Sequence, residues 1–200
     1  MNHNTYNIQW LLNKVEKKEN VKYLFFWGHA PSKDGSVTKS CFSQWWQSAF
    51  IVDGVKYATA EHWMMAKKAE LFGDKEILEK ILIAKSPAEA KKLGRKVKNF
   101  DPIIWGENCF NIVCEGNYYK FSQHEALKEF LLNTKDRVLV EASPVDNIWG
   151  IGMAQDNAHA ENPRLWKGSN LLGFALMEVR DRLIDGLDIY TEKFYQFKVP

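Results

Sequence analysis

Apolar side chains recur with two different periods along the chain, and each period predicts a different kind of element. Residues 5–18 carry apolar side chains every three or four positions, which predicts an amphipathic helix whose apolar face packs on the main body of the protein. Residues 23–27 form a dense apolar and aromatic run closed by Gly28, and so short a run predicts a buried strand.

The segment from residue 50 to residue 73 predicts a hairpin followed by a helix. Two β-prone runs flank Asp53-Gly54, a dipeptide that suits a tight turn with positive φ. Thr59 can cap the helix that follows, and Gly73 is placed to end it. This hairpin is the clearest β element in the sequence.

Two more helices are indicated by their start signals. Ser86 is a capping residue followed by Pro87 at the first helical position and by Glu89, which is placed to reach back to the cap. Ser122 and Glu125 repeat the capping-box spacing. A helix is therefore expected to begin near Pro87 and another near residue 123.

The last third of the chain predicts a strand at residues 138–140, a turn at Ser143-Pro144, and a core helix at residues 171–184 preceded by Asn170. The sum of these elements predicts an α+β fold, namely a single helix-rich domain with a small, mainly antiparallel sheet. The expected organisation is an N-terminal helical extension, residues 1–22, packed on the core, and a single domain formed by residues 23–200.

Composition fits this picture of one globular domain. The 200 residues are 46% hydrophobic, which is enough for a sizeable core. No stretch approaches the roughly 18 uninterrupted apolar residues of a membrane-spanning helix, and the first residues lack the pattern of a secretion signal. Three cysteines without C-x-x-C spacing indicate reduced thiols. A cytoplasmic protein without a membrane partner is expected.

Charge and motifs exclude several functions. The net charge of +2 gives little steering toward polyanions, so it does not indicate nucleic acid, although the basic run at residues 95–98 can meet a phosphate. The five histidines are scattered and do not pair with cysteine or acid at ligand spacing. G-x-S-x-G, P-loop and G-x-G-x-x-G signatures are absent. No metal site and no cofactor is predicted.

Glu61 and Lys68 are the first candidates for chemistry. They stand seven positions apart on a predicted helix, which returns to nearly the same angle after two turns, so a carboxylate and an amine share one face. The alternative is structural, because Glu61 in a first turn suits the helix dipole and Lys68 can be solvated beside Lys67. Spacing alone favours the structural alternative.

Two loops near the end of the chain also carry candidate residues. Residues 141–152 follow a predicted strand and include Asp146, Trp149 and two glycines, and loops held on rigid scaffolds often carry catalytic groups. Asp146 can equally be the residue of an Asx turn, and Trp149 a plug over the core. Residues 166–170 precede the last helix, whose first amide groups can bind an anion, the alternative being a helix cap by Asn170.

An ordered series of short motifs covers residues 23–183. The motifs lie at residues 25–29, 41–45, 57–69, 93–97 with 100–101 and 105, 120–123, 139–152 and 166–180. Taken in this order they resemble the NADAR, or YbiA-like, family. The series as a whole is specific in a way that no single motif is.

The resemblance implies an N-glycosidase, a hydrolase that cuts the bond between ribose and a nitrogen of a base. Some members act on ribosylaminopyrimidine intermediates of riboflavin synthesis, and others remove ADP-ribose from the amino group of guanine. Departure of the base needs a carboxylate for charge stabilisation and proton transfer. Glu61 and Asp146 are the acids at matching motif positions, and we expect both to face the anomeric carbon in one aromatic-walled cleft. Lys68 is the matching lysine, suited to a Schiff base with the opened sugar or to binding phosphate.

The resemblance also implies a set of substrate-binding positions. They are Trp27, Arg95, Trp105, Trp149, Gly150 and Asn170. Trp105 and Trp149 are interpreted as side chains that stack on the base, and Arg95 as a residue that binds a phosphate. The expected partner is a small-molecule nucleotide or ADP-ribosylated guanine, including guanine within nucleic acid, and the oligomeric state is left open.

Some positions depart from the family pattern and leave the choice of base open. Trp63, Met65 and His124 stand where tyrosine, glutamine and asparagine are usual. A competing interpretation is a module that binds ADP-ribose or a modified nucleotide without cutting it. A third is an interaction protein that uses the N-terminal helix and the aromatic tail at residues 190–197.

Overall fold

A computed structural model of the chain describes residues 5–187. The aromatic tail at residues 190–197 lies outside the described residues, as do the first four residues. The elements in chain order are α1 (Ile8–Glu16), β1 (Tyr23–Phe26), a 3-10 turn (Lys39–Phe42), β2 (Phe50–Val52), β3 (Val55–Tyr57), α2 (Ala60–Leu71), α3 (Lys75–Leu82), α4 (Pro87–Gly94), α5 (Pro102–Ser122), α6 (Glu125–Leu132), β4 (Val138–Glu141), a second 3-10 turn (Pro163–Leu165) and α7 (Leu171–Asp185).

The contacts of the chain divide it into two compact units. The first unit contains the residues up to Ser43 together with Ala126–Leu187, and the second contains Gln44–Glu125. None of the helices in the described part of the chain is long and apolar enough to cross a membrane.

A parallel pair of strands forms the centre of the first unit. β1 runs beside β4, with Tyr23 opposite Val138 and Phe26 opposite Glu141. Helix α7 packs on β4 so closely that a Cβ atom at Gly173 would lie 2.1 Å from the carbonyl oxygen of Leu139. Helix α1 is attached to the same unit, since the backbone N–H of Tyr6, just before it, donates to Glu178 Oε1 over 2.9 Å.

The second unit joins a hairpin to four helices. Strands β2 and β3 pair antiparallel around Asp53 and Gly54, which both have positive φ, as the tight-turn prediction requires. The Thr59 side chain caps α2 by accepting from the N–H of His62, and the Ser86 side chain caps α4. The hairpin and the predicted starts of α2 and α4 are confirmed.

The α+β class is confirmed, but the strands differ from the expected small, mainly antiparallel sheet. They form two separate pairs, β1 with β4 in parallel and β2 with β3 antiparallel. A parallel pair needs a long crossover, and here residues 44–125 of the second unit lie between its two strands in the sequence. Pairing over so long a separation leaves no local signal in the sequence.

Two helices, α3 and α5, were not predicted, and the helix expected near residue 123 is present but without the predicted capping box. Ser122 does not cap a new helix: it is the last residue of α5, where its hydroxyl donates to the carbonyl of Tyr119, and α6 begins only at Glu125. The Ser-x-x-Glu spacing therefore spans the junction of two helices. α5 was missed because it buries the polar side chains of Asn111, Asn117 and Lys120, which interrupt its apolar pattern.

Candidate active site

Glu61 occupies the first turn of α2 in the second unit and is almost completely buried, with 2% of its surface exposed. Its backbone N–H donates to the carbonyl of Gln44 over 3.0 Å. Glutamates are rarely so buried, because removing a carboxylate from water is costly. The burial of Glu61 therefore calls for a functional or a structural reason.

Lys68 lies two turns further along α2, half-buried against two aromatic rings. Its Nζ is 3.9 Å from the ring centre of Phe100 and 5.5 Å from that of Trp105. Burial lowers the pKa of the Lys68 ammonium group below its ordinary value. Lys67 differs, since it forms an ion pair with Glu70 at 2.7 Å. Lys68 therefore lies against aromatic rings, whereas Lys67 is held by a carboxylate.

The start of α5 supplies the aromatic wall around this amine. The side chain of Asp101 caps α5 by accepting from the N–H groups of Ile103 and Ile104. This cap places Trp105 in the first turn, within cation–π distance of Lys68. Arg95 ends α4 with an exposed side chain and does not join this cluster.

Asp146 adopts the Asx turn that the sequence left open. Its Oδ1 accepts from the N–H groups of Ile148 at 2.9 Å and Trp149 at 2.8 Å. The carbonyl of Asp146 also accepts from the N–H of Gly152, which closes the loop. These bonds use one carboxylate oxygen and the backbone, so Oδ2 takes no part in the turn.

The loop that carries Asp146 is bonded to the start of α7 through the backbone. The carbonyls of Ile148, Trp149 and Gly150 accept from the first amide groups of α7 and from the residue before it, at 3.0–3.3 Å. These amides are therefore occupied by protein and are not open to an anion. A Cβ atom at Gly168 would lie only 2.3 Å from the carbonyl oxygen of Gly150, so the contact between the two loops requires glycine.

Asn170 has another role than the helix cap considered from the sequence. It has a left-handed backbone with φ 53° and makes no side-chain cap bond to α7, so that interpretation is wrong. Its fully buried side chain instead donates from Nδ2 to the carbonyl of Leu139 and accepts through Oδ1 from the N–H of Glu141, both at 2.9 Å. Asn170 thus ties the loop before α7 to β4.

Exposed apolar side chains lie on the loop that carries Asp146 and at the end of β1. The carbonyl of Phe26 accepts from the N–H of Ala142, so Trp27 leaves the sheet beside this loop, and 57% of its surface is exposed. Val145 is 87% exposed and Ile148 55% exposed on the turn itself. Large apolar residues so exposed around one carboxylate form a surface suited to a ligand with a flat, apolar face.

The predicted site residues therefore form two groups. In the first unit, Asp146, Trp149, Gly150 and Asn170 share one backbone network, with Trp27 beside the loop. In the second unit, α2 carries Glu61 and Lys68, with Trp105 against Lys68. The convergence of Glu61 and Asp146 in one cleft stays a prediction.

Several polar residues in the second unit were not singled out from the sequence. Lys120 on α5 is fully buried, with its Nζ 5.1 Å from the ring centre of Phe121. Gln44 and Asn117 are buried and hydrogen-bonded to each other at 2.8 Å. Gln44 and Lys120 belong to motifs noted above, but their burial depends on α5, which the sequence pattern conceals.

The three positions that depart from the family pattern have structural partners. Trp63 is fully buried, donates from Nε1 to the carbonyl of Ile112 and fills the space above Gly116. Met65 packs so closely on Gly94 that a Cβ atom there would lie 2.1 Å from its sulfur. A hydrogen bond joins His124 Nε2 to the carbonyl of Ala49, at 2.9 Å.

A cavity of about 290 Å³ lies in the first unit. Its lining includes Tyr6, Trp10, Lys135 and Arg180, where α1 and α7 approach. It contains none of the predicted site residues, so it is not part of the candidate site.

Comparison with known proteins identifies the family of this chain. The model of the NADAR domain matches residues 25–184, and the chain belongs to the NADAR family. It is similar to N-glycosidase R617 of Acanthamoeba polyphaga mimivirus, with 43% identity over 168 residues that cover 82% of this chain and 97% of that protein. It is also similar to the chloroplastic riboflavin biosynthesis protein PYRR of Zea mays, with 32% identity over 66% of this chain but only 20% of that protein.

A solved structure extends the likeness to the fold. The NMR structure of the Escherichia coli protein YbiA matches with a TM-score of 0.64 and 30% identity, covering 84% of this chain and 88% of that one. The resemblance inferred from the ordered motifs is therefore confirmed.

Proposed function

We propose that this protein is an N-glycosidase that hydrolyses the bond between ribose C1 and an exocyclic nitrogen of a base. The observation that carries the proposal is that one helix carries both the buried Glu61 and Lys68. Burial lowers the pKa of Lys68. The chain is a NADAR protein, and over most of its length it is similar to a protein named N-glycosidase. The catalytic domain comprises residues 23–200, with residues 1–22 as an extension, and acts in the cytoplasm.

The two acids divide the work of base departure and water attack. As the C1–N bond breaks, positive charge develops on the ribose ring, and a nearby carboxylate stabilises it. A second carboxylate takes a proton from the attacking water. Glu61 and Asp146 fill these two roles. For Asp146, the Asx turn commits only one oxygen, so Oδ2 remains to face the sugar.

Lys68 provides a second route through the opened sugar. When the ribose ring opens, C1 is joined to the base nitrogen as an imine. The neutral amine of Lys68 adds to C1 and displaces the base as its free amine, which leaves a lysine imine. Water then hydrolyses this imine, releasing the sugar aldehyde and restoring the amine. A lowered pKa favours this role because it raises the fraction of Lys68 that is neutral.

Aromatic side chains hold the base. Trp27, Trp105 and Trp149 each keep part of their surface open, and stacking on a base contributes on the order of 1–3 kcal/mol per ring. Gly150 and Asn170 contribute to substrate binding indirectly, because they shape the loop that carries Trp149. Arg95 binds a phosphate of the substrate from the end of α4.

The substrate is a ribosylaminopyrimidine phosphate of riboflavin synthesis or ADP-ribosylated guanine. The full chain is incubated with each compound separately, and released sugar is detected by mass spectrometry, with Glu61→Gln as the control. Sugar release from one compound, lost in Glu61→Gln, is expected and identifies the base. Release from neither, with tight binding of ADP-ribose in calorimetry, would establish a binding module instead.

A further inference from the structure

Gln44 links the first turn of α2 to α5. Its backbone carbonyl accepts from the N–H of Glu61 over 3.0 Å, and its side-chain Oε1 accepts from Asn117 Nδ2 over 2.8 Å. Asn117 Nδ2 also donates to the carbonyl of Val113, one turn earlier on α5, over 2.9 Å. The side-chain amide of Gln44 thereby connects the backbone of Glu61 to α5.

The link acts at a different point from the packing of α2 on α5. Trp63 anchors α2 through its bond to the carbonyl of Ile112 and its contact with Gly116. Glu61 precedes Trp63 by two residues and points from another side of the helix. The Gln44 carbonyl is therefore the contact that holds the backbone of Glu61 itself.

The two amides of Gln44 and Asn117 destabilise the fold, because each has a buried polar atom without a partner in the described part of the chain. Gln44 is 7% exposed and Asn117 is fully buried, yet Gln44 Nε2 and Asn117 Oδ1 have no hydrogen-bonding partner within the described residues. An unpaired buried polar group destabilises the fold, whereas apolar side chains of the same shape carry no such penalty. Two amides kept despite this penalty beside a candidate catalytic acid indicate a role other than stability.

We propose that Gln44 and Asn117 form a positioning pair for Glu61. The pair fixes the position of the first turn of α2 along α5, so that the Glu61 carboxylate stays aligned with the anomeric carbon. This inference rests on the proposed function, because a positioning role requires that Glu61 acts on the substrate.

The test replaces each amide by an apolar residue of similar size, as Gln44→Met, Asn117→Leu and the double variant. Misplacement of a catalytic group by about 1 Å can cost on the order of 100-fold, so each single variant is expected to lose about this factor in kcat, with KM unchanged. The double variant is expected to lose no more than either single one, because both break the same link. The melting temperature of the double variant should stay constant or rise, since both amides are removed, whereas each single variant leaves the other amide without its partner and should unfold at a lower temperature.

A matched control and a measurement without turnover complete the test. Gln47→Met makes the same change at an exposed position three residues away and should leave kcat unaltered. Hydrogen exchange of the peptide that contains residues 59–65 should become faster in Gln44→Met but not in Gln47→Met. Loss of stability together with kcat in the double variant, or a normal exchange rate in Gln44→Met, overturns the positioning role.

The two hypotheses fail in different ways. If Glu61→Gln is inactive while Gln44→Met and Asn117→Leu turn over normally, the positioning pair is rejected and the N-glycosidase proposal stands. If Glu61→Gln retains full turnover, Glu61 has no catalytic role, and both proposals are rejected.

Discussion

Asp146 and Glu61, the two acids proposed for catalysis, are held in place by different kinds of contact. Around Asp146 the backbone itself makes the bonds, with carbonyls of residues 148–150 facing amides of residues 170–172, and glycines allow the close approach. Around Glu61 a loop bond, to the carbonyl of Gln44, is joined by contacts of large side chains on the same helix, as Trp63 fills the space above Gly116 and Met65 that above Gly94. The Asp146 loop is therefore sensitive to added atoms and lost turn bonds, and the Glu61 helix to changes in buried side chains.

The largest expected effect is on the helix side. Glu61→Gln keeps the size of the side chain and removes its charge, so turnover is expected to fall at least ~100-fold, the usual scale of general acid–base catalysis. Steady-state kinetics measures the loss, and thermal unfolding should show that the fold is retained. Near-normal turnover would leave Glu61 as a purely structural acid.

On the loop side, two substitutions of Asp146 separate chemistry from the turn. Asp146→Asn removes the charge but retains an oxygen that can accept from the N–H groups of Ile148 and Trp149. Its turnover is expected to fall about 100-fold at nearly unchanged stability. Asp146→Ala should lose as much activity and also about 1 kcal/mol of unfolding free energy, measured by urea denaturation. Full activity in Asp146→Asn would show that the turn is the only role of this residue.

The glycine contact in the loop gives a smaller effect, on stability. Gly168→Ala places a methyl group 2.3 Å from the carbonyl oxygen of Gly150 and should cost about 1–3 kcal/mol, since a tightly packed site must shift. The control is Gly106→Ala on α5, where a Cβ atom meets nothing within 4 Å and helix propensity predicts a gain of up to about 1 kcal/mol. Equal melting temperatures for the two variants would contradict this account of the loop.

The smallest expected effect is a shift in pH dependence. Burial lowers the pKa of Lys68, so its neutral form is already populated below the ordinary range of lysine. Phe100→Ala removes the nearer ring, admits water to Nζ and raises the pKa of Lys68 toward its ordinary value. The rise of kcat with pH should therefore move to higher pH, with lower turnover at neutral pH. Ile83→Ala, an exposed change elsewhere in the same unit, should leave the profile unaltered.

Local signals explain what the sequence could predict. The start of α2 at Thr59 and of α4 at Ser86 followed from capping residues that act within one turn, and the hairpin from its Asp-Gly turn. α5 was hidden because its buried side chains include amides and a lysine. The parallel pairing of β1 and β4 depends on residues far apart in the sequence, such as Tyr23 and Val138.

The site was predictable to the same extent and for the same reason. Glu61 and Lys68 were proposed as site residues from their spacing on one helix and from the family motif. The contact of Lys68 with Phe100 and the bond between Gln44 and Asn117 join separate segments, so no local pattern indicates them. Asp146 was left with two interpretations, and the structure shows the Asx turn, which uses Oδ1 alone.

The side chain of Asn170 has a consequence for how this protein meets other chains. The carbonyl of Leu139 and the N–H of Glu141 are two of the groups through which another strand would add to the outer edge of β4, and the Asn170 carboxamide occupies both. An unpaired strand edge is a template for aggregation. One asparagine thus stands in for a peptide group of a third strand and stops a two-stranded sheet from recruiting one from a neighbouring molecule.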